Sequence, residues 1–210
     1  MASEKNQPNL PGSLTHTIAS SDLSSLARDL SEVGIDSVLG EGLLRDIPVI
    51  GTAVGVWKAG VAVKDALFFR KLLAFLKDLS SISQAKRAEM IESISDNATA
   101  ESAGEKLLVL LDRMESSTKA TLLGKSFRIM AEEEISAEEF WRVSFVLDRV
   151  PLADLQSLKN WRQTELNDVE HVRKHLYLAA GLGWFVLNVS STGFQWQERL
   201  CSIFSDHLLT

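Results

Sequence analysis

Cysteine is nearly absent from this sequence, enzyme signatures are missing, and no apolar run is both long and free of charge. Cys201 is the only cysteine in 210 residues. No intrachain disulfide can form, which fits a reducing compartment. An uncharged apolar stretch of roughly 18 residues or more is lacking, so a constitutive transmembrane helix is not expected. Residues 1–15, MASEKNQPNLPGSLT, have neither the basic start nor the apolar core of a secretory signal. There is no G-x-S-x-G elbow, no paired-cysteine zinc set, no Rossmann glycine fingerprint and no H-E-x-x-H. These absences argue against an enzyme. Lys and Arg number 22 against 28 Asp and Glu, a net charge of −6. A general polyanion binder is therefore not expected, because phosphate affinity comes from clustered cations.

What is present is an ordinary globular balance, 45% apolar and 24% charged. That is enough to bury a core in one large domain or two small ones. Residues 1–20 are polar, with Pro8, Pro11 and Gly12, and predict a disordered tail. Ser21 can cap a helix from Asp22, and residues 35–44 suggest a second short one. The stretch from Asp46 to Leu79 dominates the rest. Ile47 to Val63 is almost wholly apolar, with Gly51, Gly55 and Gly60 and one charge, Lys58. Pro48 suits the first turn of a helix. Four-spaced glycines let another helix approach closely. Trp57 beside Lys58 is chemistry found at membrane interfaces.

Helical periodicity then runs through residues 64–79, 83–95, 99–114, 116–133, a capping box at Ser136 and Glu139, and Pro151 onward. The joints are short, so consecutive helices should be antiparallel neighbours. From residue 161 the pattern changes. A helix from Asp168 to Ala180, with Asn167 and Glu170 at capping-box spacing, precedes strands over 184–189 and 194–197 around a turn at 190–193. Arg199 to Leu208 is a final helix. The predicted fold is mainly α, a multi-helix bundle over 21–160 with a small C-terminal β-hairpin in 161–210. This helix–hairpin–helix end resembles in outline the wing half of winged-helix domains.

Three candidate sites follow. Gly51, Gly55, Trp57, Lys58 and Gly60 form a helix-packing or membrane segment. Glu132, Glu133 and Glu134 form an acidic corner, and Arg173 and Lys174 a basic pair; both are candidate partner surfaces. His171 and His175 share one helix face but lack the remaining ligands of a zinc site, so no metal and no cofactor is expected. Gly124-Lys125-Ser126 lacks the earlier glycine and the strand of a phosphate-binding loop. Cys201, on an apolar helix, reads as a packing residue.

These features leave three functions open. One is a non-enzymatic interaction protein whose apolar segment is held in the bundle and released to a membrane. Chains of this kind resemble, in general plan, the pore-forming toxins and defence effectors of bacteria. The second is a soluble helical adaptor. The third is a winged-helix DNA-binding regulator, although its hairpin carries no Lys or Arg. A protein partner or homo-oligomer is expected, with a membrane as a conditional partner and nucleic acid disfavoured. The expected location is the cytoplasm, with peripheral attachment at the inner membrane if the segment is released.

Overall fold

The structure is a computed structural model that describes residues 9–21, 23, 47–57, 63–95, 100–188 and 191–210. It is mainly helical with one antiparallel hairpin. The helices are α1 (Leu10–Ala19), α2 (Pro48–Trp57), α3 (Val63–Leu79), α4 (Gln84–Ser93), α5 (Ala100–Arg113), α6 (Ser117–Ala131), α7 (Ala137–Arg149), α8 (Leu152–Ser157), α9 (His171–Ala179) and α10 (Glu198–Ser202). Short 3-10 turns join α8 to α9, and α10 continues as a π-helical turn over Ile203–Leu208. Apart from Leu23, which is helical and buried, the expected helices over 22–33 and 35–44, and the residues Lys58 and Gly60, lie outside the described residues.

The bundle is built on α3 and α6. On α3, Phe69, Leu72, Leu73, Phe75, Leu76 and Leu79 are fully buried. Helix α6 presses against them at Gly124. A Cβ there would stand 2.6 Å from Asp78 Cβ and 2.9 Å from the Phe75 carbonyl oxygen. Only glycine lets the two backbones cross this closely. Gly124-Lys125-Ser126 is thus a helix-crossing site. Ser126 Oγ donates back to the Leu123 carbonyl at 2.7 Å, and Lys125 Nζ donates to the Leu208 carbonyl at 3.3 Å. Edge-to-face rings run from α3 through α6 to α7. Phe75, Phe127, Phe140 and Trp141 follow one another at centroid separations of 6.3, 5.7 and 5.2 Å.

Helix starts behave as local chemistry requires. Ser83 and Ser116 accept from the amides of Lys86 and Lys119. The Ser136 capping box is complete: Ser136 N donates to Glu139 Oε2 at 2.8 Å, and Glu139 N to Ser136 Oγ at 3.2 Å. Lys71 Nζ reaches from α3 to the carbonyls of Asp112 (2.5 Å) and Met114 (3.0 Å), closing the end of α5.

Three expectations need correction. Within the expected disordered tail over 1–20, Leu10–Ala19 is a helix, and residues 1–8 lie outside the described residues. Asn9 Oδ1 accepts from Gly12 N at 2.9 Å, and Leu14 and Ile18 are fully buried. Pro11 and Gly12 do not break α1, because they sit in its first turn, where amides have no helical partner anyway. Second, α9 starts at His171 and not at Asp168. Asn167 Oδ1 accepts from Phe194 N of the hairpin at 3.2 Å, so this contact takes the acceptor that would have capped a helix. Third, the hairpin register is earlier than expected. β1 (Gly183–Asn188) and β2 (Ser191–Trp196) pair from Gly183↔Trp196 to Asn188↔Ser191, so residues 191–193 belong to the return strand.

Candidate functional site

The apolar segment begins inside the bundle. Ile47, Val49 and Ile50 are buried, and among the described residues α2 packs chiefly on α1. Ser13 and Thr52 share a hydroxyl hydrogen bond of 2.9 Å, and Val49 N donates to Thr17 Oγ1 at 3.1 Å. Gly51 and Gly55 lie within α2, and Trp57 is its last residue. The ten residues Pro48–Trp57 of α2 span about 15 Å, against a hydrocarbon core of about 30 Å. Among the described residues no helix is long and apolar enough to cross a membrane.

Helix α1 is itself pinned. The fully buried Arg87 of α4 donates through Nε to the Ile18 carbonyl (2.6 Å) and through Nη2 to the Ser20 carbonyl (2.5 Å). Its Nη1 donates to the Ile82 carbonyl. The guanidinium therefore sits at the C-terminal, negative end of the α1 dipole. At Gly104, α5 also approaches α1 closely: a Cβ there would lie 2.3 Å from the Pro11 carbonyl oxygen.

The acidic corner closes α6. Glu133 adopts φ +63°, the left-handed position that ends many helices, and Glu134 N donates to the Ile129 carbonyl at 3.0 Å. Glu132, Glu133 and Glu134 are all exposed. Part of the corner is tied internally. Lys86 Nζ is 3.7 Å from Glu133, and Arg199 bonds the Glu134 carbonyl (2.6 Å) and Glu139 (2.6 Å).

The Arg199 hydrogen bond, helped by the Ser136 amide, holds the Glu139 carboxyl below its ordinary range. A depressed folded-state pKa adds stability above the unfolded value, which is lost as pH falls through the folded value. The Glu139→Gln variant should therefore lose less stability than wild type between about pH 5 and pH 3. Urea midpoints at both pH values check this. Equal acid sensitivity would show that Glu139 is not linked to folding.

Arg173 and Lys174 are committed within the molecule. Arg173 Nε stands 2.8 Å from Asp154 Oδ1 of α8. Lys174 Nζ donates to the Asn167 carbonyl at 2.6 Å and lies over the Phe194 ring. Both side chains serve to fix α9 to α8 and the hairpin. Tyr177 completes this attachment, its hydroxyl donating to the Asp154 carbonyl at 2.7 Å; burial pushes its pKa up to about 12. Cys201 is fully buried and burial raises its thiol to about 12, so it is protonated at neutral pH.

The sequence reading missed one surface, an open groove between α5 and α7. It encloses about 460 Å³ and is lined from α5 by Lys106, Val109 and Leu110 and from α7 by Trp141, Phe145 and Asp148. Val109 is 50% and Phe145 42% exposed. The lining residues recur at helical spacing on both elements, so each helix leaves a stripe about two turns long facing the gap. Lys106 stands over Trp141 and Arg149 over Phe145. The Trp141 Nε1–H is buried without an acceptor among the described residues. The sequence shows Val109 within an unbroken apolar run and Phe145 among the apolar residues of its helix, but their exposure depends on how α5 and α7 pack.

No protein-family model, no curated protein and no solved structure matches this chain.

Proposed function

We propose that the protein is a non-enzymatic helical interaction protein that takes an amphipathic helix of a protein partner in the α5/α7 groove. The observation that carries this reading is the pair of facing apolar stripes, Val109 and Leu110 opposite Trp141 and Phe145. A trough between two helices, open along its length, matches the helix-in-groove mode of recognition. Its volume falls within the roughly 300–1,000 Å³ of binding pockets. Aromatic anchors such as Trp141 are the side chains that dominate such interfaces. The groove lining carries both signs, Glu105 and Lys106 on α5 and Asp148 on α7, so the apolar stripe and not net charge selects the occupant.

The test is selection from a displayed library of amphipathic helical peptides. Wild type should enrich peptides with apolar residues at i, i+3 or i+4, and i+7. The same peptides should bind Phe145→Glu at least about 30-fold more weakly, the loss of one aromatic anchor. Phe145 is partly exposed, so circular dichroism of the variant should be unchanged. Equal binding to both proteins would sink this reading.

A second reading is supported by the way α2 is held. Among the described residues its packing runs mainly through α1, and on this reading detachment of α1 would free the apolar, glycine-spaced segment for a membrane. Such a device needs two states a few kcal/mol apart. The Arg87 variant described in the Discussion tests it.

A further inference from the structure

The histidines of α9 form a chemical unit that the interaction reading does not use. His171 and His175 stand one turn apart, both exposed, with their Nε2 atoms 3.1 Å apart and their ring centroids 4.3 Å apart. In the metal-free protein, one Nε2–H can donate to the other Nε2. Two imidazoles that bind one tetrahedral ion through bonds of about 2.0–2.1 Å place their nitrogens roughly 3.3–3.4 Å apart. The observed separation is within a few tenths of an ångström of that arrangement, and small ring rotations close the difference. When an ion enters there, the donor ring carries its proton on Nδ1 instead, exchanged through solvent, so both neutral rings present an Nε2 lone pair to the ion.

The helix that carries the pair is rigidly seated. Tyr177, Arg173 and Lys174 tie α9 to α8 and to the 3-10 turn over Leu166–Asp168, through Asp154 and Asn167. The two rings therefore do not have to be gathered from a mobile loop on binding. Among the described residues no group of three His, Cys, Asp or Glu converges, so the pair binds as a two-histidine site whose other positions are open to water.

We propose that His171 and His175 together bind one divalent ion of the zinc, nickel or copper class. Imidazole nitrogen suits these borderline-soft ions, whereas magnesium and calcium prefer oxygen ligands. The site stands on the α9 geometry and is independent of the groove.

The experiment titrates Zn2+ into the full chain and follows the imidazole carbon–proton resonances of all four histidines by NMR. His171 and His175 should shift together and saturate at one ion per chain, before His16 and His207 respond. In His171→Asn the response of His175 should need about 100-fold more Zn2+, and the reverse should hold for His175→Asn. That is the loss expected when a second, pre-positioned ligand is removed. Mg2+ should move neither ring. The proposal is overturned if either histidine keeps its wild-type Zn2+ response after the other is replaced, or if His16 and His207 respond first. Both rings are exposed, so neither substitution should disturb folding, and the spectra of the two variants report that directly.

Discussion

Phe127→Ala should lower the free energy of unfolding by about 3–5 kcal/mol, the largest loss expected from any single side-chain truncation in this bundle. Phe127 is fully buried on α6. It stands edge-to-face between Phe75 of α3 and Phe140 of α7, at 6.3 and 5.7 Å. Three helices therefore share one ring. The cavity left behind cannot close by collapse, because the Gly124 crossing already holds α3 and α6 at backbone contact. Urea unfolding followed by circular dichroism measures the loss. The midpoint should fall while the slope stays constant. Trp141 fluorescence should change as well, since Phe140 packs directly on Trp141 at 5.2 Å. Phe127→Leu, which keeps most of the volume, should lose much less. A loss below about 1 kcal/mol for Phe127→Ala would mean that this ring stack is not the centre of the core.

Arg87→Met should destabilise the protein by about 3 kcal/mol and free α1 before the rest unfolds. The substitution keeps apolar volume but removes donors from the carbonyls of Ile18, Ser20 and Ile82. Each buried carbonyl left without a partner costs about 1–3 kcal/mol, offset in part by no longer burying a guanidinium. Burial lowers the Arg87 pKa, yet an arginine keeps its charge in proteins. Arg87→Lys should recover only part of the stability, because a single ammonium cannot reproduce a planar fork. Amide hydrogen exchange distinguishes local from global effects. Protection should fall in α1 and α2 while α6 keeps its own. Uniform loss of protection would show that Arg87 supports the whole bundle and does not act as a pin.

The same variant decides the membrane reading. If α1 holds α2 against release, Arg87→Met should associate with anionic vesicles and leak an entrapped dye more than wild type does. A variant that loses α1 protection yet leaves vesicles intact would eliminate that reading and leave the groove as the functional surface.

The fold class was legible in the sequence for reasons that are local. Helical periodicity of apolar residues marked α3 to α7, and the Ser136–Glu139 pair announced its helix through a hydrogen-bond exchange that needs only neighbouring residues. The hairpin was visible from two short apolar and aromatic runs, 184–189 and 194–197, around a Ser/Thr/Gly turn. The errors came where distant contacts overrode local signals. Pro11 and Gly12 look like breakers, but the burial of Leu14 and Ile18 under α4 and α5 makes the first turn worth forming. Asn167 looks like a helix cap, but the amide of Phe194, 27 residues away, takes its side-chain oxygen.

The candidate sites divide in the same way. By itself the sequence determined a mainly helical, net-acidic chain with one cysteine, an apolar glycine-spaced segment and two histidines one helical turn apart. Composition and the 3.6-residue period suffice for that, because both are properties of the chain as written. Tertiary structure alone decided which of these features are surface and which are core. It tied Arg173 and Lys174 into internal contacts and placed Arg87 at the end of α1. It made Gly124 and Gly104 close-approach glycines between helices and left Val109 and Phe145 facing an open groove. Exposure and partner choice depend on which helix faces which, and that is set by packing side chains from distant parts of the chain to near-solid density.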